Sequence, residues 1–148
     1  MMGAVHPIVY DAILALITTN EIKPLVALLC DGDAEGKACA ARALANLARC
    51  NQAAIHAAGA IEPLVALVRD CDARGKANAA AALGNVAAGD VAIVSAIAAA
   101  GAIEPLVALV RDGDARGKAK AAGALRQLAK GIDAAIKAMV KVAQAESR

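Results

Sequence analysis

The chain has 148 residues, enough for one domain with a hydrophobic core. Hydrophobic residues make up 59% of it but aromatic residues only 1%, so the apolar content is mostly alanine with leucine, valine and isoleucine. Alanine favours helices and is depleted in strands, which predicts an all-α fold. The net charge of +2 is too balanced to favour nucleic acid or an anionic membrane as the main partner.

The first predicted helix covers residues 8–20 and ends at Asn20, a residue that tolerates a helix C-cap. No Lys or Arg precedes its apolar run, so a signal peptide is not expected. The uncharged stretch at 91–103 is too short to span a membrane. We therefore expect an intracellular protein, cytoplasmic or nuclear, in a reducing compartment where its cysteines stay unpaired.

An internal repeat follows that helix. Residues 59–76 and 101–118 match at 17 of 18 positions, and residues 22–37 match residues 61–76 at 11 of 16. A period of about 40 residues is typical of stacked helical repeats. The repeat predicts one domain with units at about 12–50, 51–92 and 93–131, followed by a C-terminal helix at 132–145.

Three helices are predicted in each unit, as the second unit illustrates. A short helix at 51–58 ends at Gly59, a residue suited to the left-handed cap conformation. The next helix, at 61–69, carries Pro63 in its first turn, where the missing N–H costs nothing. The third runs to about Ala87 and begins at an aspartate N-cap. The caps of the three units are Asp33, Asp72 and Asp114.

The second helix of the unit has one apolar stripe, formed at i, i+3, i+4 and i+7 by Ile61, Leu64, Val65 and Val68. A single unit cannot bury that stripe within itself, but a neighbouring unit can cover it. The sequence therefore predicts a right-handed α-solenoid in which successive units bury each other's apolar faces.

The recurring motifs also resemble those of the armadillo repeat family. The sequence Gly-Ala-Ile-Glu-Pro-Leu-Val-Ala-Leu occurs at 59–67 and 101–109, and the third-helix signature Ala-Leu-x-Asn-Leu-Ala occurs at 43–48. Residues 82–87 and 124–129 repeat that signature with one substitution each. The resemblance implies a superhelix whose third helices line a concave groove that binds extended peptides or partner proteins.

The resemblance also nominates binding residues. The signature asparagine, at Asn46 and Asn85, would grip the backbone of a bound peptide, because an amide offers both a donor and an acceptor. The other interpretation is a hydrogen bond within the repeat that stabilises the helix array. Gln127 stands at the signature position of the third unit and is a further groove candidate. Residues four or seven positions before a signature residue share its side of the helix, which adds Arg42, Asn78 and Lys120.

The preferred partner follows from a departure from the family pattern. Nuclear-import adaptors of this family place tryptophan four residues before the asparagine, where this chain has Arg42, Ala81 and Gly123. Arg42 and Lys120 would also repel a basic peptide, so an acidic or neutral partner segment is expected.

No catalytic centre or cofactor is expected. The segment 113–118 has phosphate-loop letters in the wrong spacing, with Ala119 where Ser or Thr is needed. Repeated carboxylates such as Glu62 and Glu104 lie one unit apart and do not converge on a substrate. No Cys-x-x-Cys pair occurs among Cys30, Cys39, Cys50 and Cys71, which argues against a metal site.

We interpret the chain as a non-catalytic scaffold that binds a protein or an extended peptide. A second hypothesis is a homo-oligomer, because both ends of so short an array lack polar caps and would dock end to end or exchange segments. A third is a substrate-recognition fragment of a larger protein such as a ubiquitin ligase. The apolar end residues are Ile8, Val9, Ile13, Leu14 and Ile17 at one end and Ile136, Met139 and Val140 at the other.

Overall fold

The computed structural model describes residues 22–146, so the predicted helix at 8–20 lies outside the described residues. Within residues 22–146 the chain forms eight helices and no strand, as the all-α prediction requires. The helices are α1 (Ile22–Asp31), α2 (Ala34–Leu47), α3 (Gln52–Ala57), α4 (Ile61–Asp70), α5 (Ala73–Ala87), α6 (Val91–Ala99), α7 (Ile103–Asp112) and α8 (Ala115–Glu146).

The helices stack as repeated units. Helices α3, α4 and α5 form the second unit, while α6, α7 and the first part of α8 form the third. The third helices α2, α5 and α8 pack side by side, and the second helices α1, α4 and α7 pack against them as another layer. The apolar core runs continuously between the two layers from Ile22 to Leu128. This arrangement confirms the predicted solenoid.

Aspartate side chains begin the third helices, as predicted. The Oδ1 atoms of Asp33, Asp72 and Asp114 accept the N–H of the residue three positions later at 2.7, 2.9 and 2.8 Å. Each bond satisfies one of the backbone donors that the first turn of a helix leaves without a partner.

Replacing Asp72 with alanine is expected to lower the free energy of unfolding by about 1 kcal/mol, since the N–H of Gly75 loses its cap. Urea unfolding followed by circular dichroism measures the change. Asp70→Ala is the matched control, because the exposed Asp70 is the last residue of α4 and does not cap α5. Equal losses in the two variants would contradict a capping role.

Glycine turns join the first and second helices. Gly59 and Gly101 have φ of 81° and 84°, a left-handed conformation that other residues rarely adopt. The N–H of Gly59 donates to the carbonyl of His56, and that of Ala60 to the carbonyl of Ile55. These bonds end α3 and confirm the predicted C-cap.

Helices α4 and α7 have the same sequence, Ile-Glu-Pro-Leu-Val-Ala-Leu-Val-Arg-Asp, but different exposure. Ile61, Val65 and Val68 of α4 are 6%, 2% and 3% exposed. The equivalent Ile103, Val107 and Val110 of α7 are 40%, 44% and 36% exposed. Since the residues are identical, the difference comes from the following unit, which covers α4, whereas no further unit covers α7 among the described residues.

The C-terminal helix departs from the prediction. A separate helix was expected at 132–145, whereas α8 continues through this segment as one helix of 32 residues. The residue that precedes the first helix of a unit is Asn51 before α3 and Asp90 before α6, where Asp90 accepts a first-turn N–H at 3.1 Å. Ile132 occupies that position in the third unit and offers no side-chain acceptor for an N-cap, which favours continuation of the preceding helix.

Helices α5 and α8 approach closely at a glycine. A Cβ atom added at Gly84 would lie 3.1 Å from the Cα of Ala124, closer than an ordinary van der Waals contact. A Cβ added at Gly123, one residue away on α8, would meet nothing within 4 Å. The absence of a side chain at Gly84 therefore sets the spacing between the two third helices.

No single helix among the described residues is long and apolar enough to cross a membrane. Helices α6 and α7 meet the length and composition criteria only when taken together, across a bend of 79°.

Candidate functional site

The candidate site is one face of the third helices, which we call the third-helix face. Residues three, four or seven positions apart lie on the same side of a helix. The residues of the face follow this spacing on α2, α5 and α8, so each of these helices contributes one of its sides to the face. The face consists of Cys39, Arg42 and Asn46 on α2, Arg74, Asn78, Ala81 and Asn85 on α5, and Arg116, Lys120, Gly123 and Gln127 on α8.

The two signature asparagines lie on neighbouring helices of this face. The Nδ2 of Asn85 donates to the carbonyl oxygen of Ala45 at 2.8 Å, which brings Asn85 beside the residue that precedes Asn46. Asn46 is exposed, and within residues 22–146 no donor reaches the Oδ1 of Asn85. Asn85 therefore stabilises the stack through its Nδ2, while its Oδ1 accepts no hydrogen bond among the described residues.

That hydrogen bond differs from the stabilising bond considered from the sequence, which was placed within one repeat. It joins α5 to α2, helices of two different units. The acceptor is a backbone carbonyl in the last turn of α2, a region where helix carbonyls lack intrahelical donors.

Asn78 does not lie on the surface, contrary to its prediction as a groove residue. It is 2% exposed, and its Nδ2 donates to the carbonyl oxygen of Ala38 at 3.0 Å. Its Oδ1 accepts a bond of 2.8 Å from Nη2 of Arg116. Both ends of the amide are used, so Asn78 connects three successive units and has no free polar atom for a ligand.

Gln52 contributes to the same region, although the sequence analysis did not identify it. Its Nε2 donates to the carbonyl oxygens of Asn85 and Ala88 at 2.8 and 2.7 Å. These carbonyls belong to the C-terminal end of α5, so Gln52 fixes the turn that carries Asn85. The position of Gln52 at the start of α3 did not indicate this role, because its acceptors lie more than thirty residues away in the sequence.

The third-helix face is positively charged. Arg42, Arg74, Arg116 and Lys120 are exposed, and α5 contains no Asp or Glu. The ion pairs among the described residues, Arg111 with Asp112 and Lys137 with Asp133, lie away from this face. The four cations therefore have no carboxylate within 4.0 Å among the described residues, and their potential adds along the face.

Gln127 and Gly123 extend the face onto α8. Gln127 is half-buried in the position that Asn46 and Asn85 hold in the other units. Its longer side chain carries the same amide group. Its amide makes no hydrogen bond within residues 22–146, so the same position of each unit carries a side-chain amide: Asn46, Asn85 and Gln127.

Other concave regions do not assemble a reactive centre. A cleft of ≈ 640 Å³ lies between α1 and α4, lined by Leu29, Pro63 and Ala66, and not on the third-helix face. Among residues 22–146 no group of three His, Cys, Asp or Glu residues is placed to hold a metal ion. Burial is the main factor that raises the pKa of the Cys71 thiol, which lowers its thiolate fraction.

Comparison with known proteins identifies similar repeats. Residues 90–130 match the model of the armadillo/beta-catenin-like repeat. None of the curated proteins matches the chain. The matched segment coincides with α6, α7 and the part of α8 that lies in the third unit.

The solved structures that resemble this chain include engineered proteins. An engineered protein from a structural genomics consortium is 40% identical over 82% of this chain and 50% of its own, with a TM-score of 0.73. A designed armadillo repeat protein is 34% identical over 80% of this chain and 51% of its own, with a TM-score of 0.69. Another, in complex with the peptide (KR)4, is 30% identical over 82% and 56%, with a TM-score of 0.68. The chain spans about half the length of these proteins.

Proposed function

Because the chain belongs to the armadillo repeat family, we propose that it is a non-catalytic scaffold that binds an extended peptide along the third-helix face. The carrying observation is the recurrence of exposed or half-buried amides, Asn46, Asn85 and Gln127, at the same position of successive units. An amide pairs with the N–H and C=O of an extended peptide whatever its side chains are. A designed armadillo relative was solved with a bound peptide, which supports this mode.

The charge of the face selects the class of peptide. Arg42, Arg74 and Lys120 are exposed and lack carboxylate partners among the described residues. They attract carboxylates and repel lysine or arginine, so the chain prefers acidic segments to basic ones. In this preference it differs from the designed relative whose ligand is (KR)4.

Fluorescence anisotropy with two labelled octapeptides, one of alternating Asp and Glu and the other (KR)4, tests the proposal. We expect the acidic peptide to bind at least about tenfold more tightly at low salt, with the difference shrinking as salt screens the charges. The variant Lys120→Glu is expected to weaken acidic binding about tenfold. Arg69→Glu is the control, since Arg69 is an exposed cation of the second-helix layer. Equal affinity for both peptides would refute the charge preference.

Asparagine variants separate ligand contact from support of the stack. Asn46→Ala should weaken peptide binding without lowering the free energy of unfolding, because Asn46 makes no side-chain hydrogen bond among the described residues. Asn85→Ala should weaken binding and also destabilise the fold by about 1 kcal/mol, since it removes the bond to Ala45. Unchanged binding in both variants, with helicity retained, would show that these residues serve the fold alone.

A further inference from the structure

The end of the described array carries two exposed apolar surfaces. One is the α7 stripe of Ile103, Val107 and Val110, which is buried in its identical counterpart on α4. The other is the tail, residues 132–146 of α8, which extends roughly 22 Å beyond Gly131. Its large exposed apolar residues are Ile132, Ile136, Met139, Val140 and Val142, which are 42–68% exposed. Surfaces of this kind mark interaction sites.

The helices that pack over the equivalent stripe of α4 indicate which kind of helix can cover the α7 stripe. Helix α4 packs against α6 and α7 of the next unit, and Ile61 lines a cleft together with Ala96, Ala99 and Ala100 at the end of α6. The N-terminal part of the stripe is therefore covered by the first helix of the following unit. The α7 stripe, having the same residues, fits another first helix.

The tail has the sequence of such a first helix. Residues 133–139 (DAAIKAM) match residues 52–58 (QAAIHAA) at four of seven positions, and Ile136 corresponds to Ile55. Ile55 and its equivalent Ile97 on α6 are both 0% exposed, whereas Ile136 is 53% exposed. The tail thus contains the apolar residue that a first helix buries, but it is not placed against its own α7.

The connection to the tail explains this placement. Gly131 occupies the position of Gly89, whose φ of 77° lets the chain turn between α5 and α6. Ile132 occupies the position of Asp90, the N-cap that starts α6 after that turn. The third unit keeps the turn glycine but lacks the cap, so the tail continues straight and points away from the stripe it matches.

We propose that this chain forms a two-fold dimer by exchanging tails, in which the tail of each copy packs as a first helix on the α7 stripe of the other. Each interface reproduces the packing of α6 on α4 that exists within one chain. The exchange is reciprocal, so it closes on two copies and does not propagate into a fibre. The occupant is a second copy, because the straight tail cannot reach its own α7 without the turn at Gly131.

Size-exclusion chromatography with light scattering on the full chain tests this proposal. We expect the mass to rise with concentration from 14.7 kDa to twice that value. Ile103→Asp and Ile136→Asp should each raise the dimer dissociation constant more than about a hundredfold, leaving 14.7 kDa species. Ala27→Asp is the control, because Ala27 is exposed on α1 of the first unit, whereas both surfaces belong to the third unit and the tail. Circular dichroism verifies that every variant is folded.

A mixture of the two disrupted variants distinguishes tail exchange from other dimers. The intact tail of the Ile103→Asp chain fits the intact stripe of the Ile136→Asp chain, so the mixture should regain a dimer that neither variant forms alone. A dimer made of stripe against stripe and tail against tail would have both interfaces damaged and would not recover. A mixture that stays at 14.7 kDa therefore overturns the exchange.

The variant Ile132→Asp supplies the missing N-cap. It should let the chain turn at Gly131, fold the tail onto its own α7 and give a monomer with undiminished thermal stability. A wild-type chain that stays monomeric at all concentrations, or a dimer that survives both Ile103→Asp and Ile136→Asp, contradicts the proposal.

Discussion

Ile61→Ala is expected to lower the free energy of unfolding by about 2–5 kcal/mol, the cost of truncating a buried isoleucine. Ile61 is 6% exposed because the third unit covers it, and the shortened side chain leaves a cavity between two units. The loss reports on packing between repeats, because the identical Ile103 of α7 is 40% exposed where no following unit covers it among the described residues. Urea unfolding of the monomeric chain at low concentration measures it.

The identical residue of α7 provides the control for that measurement. Ile103→Ala should cost less than about 1 kcal/mol in the monomer, because Ile103 is 40% exposed in a helix of the same sequence. Because α4 and α7 have the same sequence, the effect of the substitution on helix propensity is the same in both variants and cancels in the comparison. Similar losses at both positions would mean that the second helices are stabilised within their own units and that stacking contributes little.

Gly84→Leu is expected to destabilise the chain by about 3 kcal/mol or more. A Cβ at this position already lies 3.1 Å from the Cα of Ala124, and backbone cannot move aside as a flexible side chain can. The leucine side chain would force α5 and α8 apart and loosen the core between the second and third units. Thermal unfolding by calorimetry should show a clear fall in Tm.

Gly123→Ala is the counterpart that is expected to stabilise the chain. Its Cβ would meet nothing within 4 Å, and alanine replaces glycine inside a helix. We expect a gain of about 0.5–1 kcal/mol from the higher helix propensity of alanine. If Gly84→Leu were tolerated as well as Gly123→Ala, the close approach of α5 and α8 would not determine their spacing.

The sequence predicted the helices well because their boundaries depend on local chemistry. The aspartate cap at Asp72 and the glycine at Gly59 act within one turn of the chain, and both lie where their residue types indicated. The extent of α8 was mispredicted because the alignment of Ile136 with buried isoleucines suggested a new helix. Ile132, which offers no acceptor for an N-cap, favoured the continuous helix that is observed.

The candidate site was only partly predictable. Helical spacing placed Asn46, Asn78 and Asn85 on one side of their helices but did not indicate how deeply each would lie. Asn78 is buried because Arg116 of the next unit covers it, and Asn46 is exposed. Such differences depend on contacts between residues about forty positions apart, which the periodicity of one helix does not specify.

The amides of Asn78 and Asn85 have one property in common: each donates to a main-chain oxygen of an adjacent module. A peptide oxygen is present whatever side chain its residue bears. The residue that supplies the acceptor oxygen can therefore be substituted without loss of these hydrogen bonds, provided that its helix is retained. Modules joined in this way tolerate reordering and lengthening of the array better than modules held by matched charge pairs, in which both partners must change together.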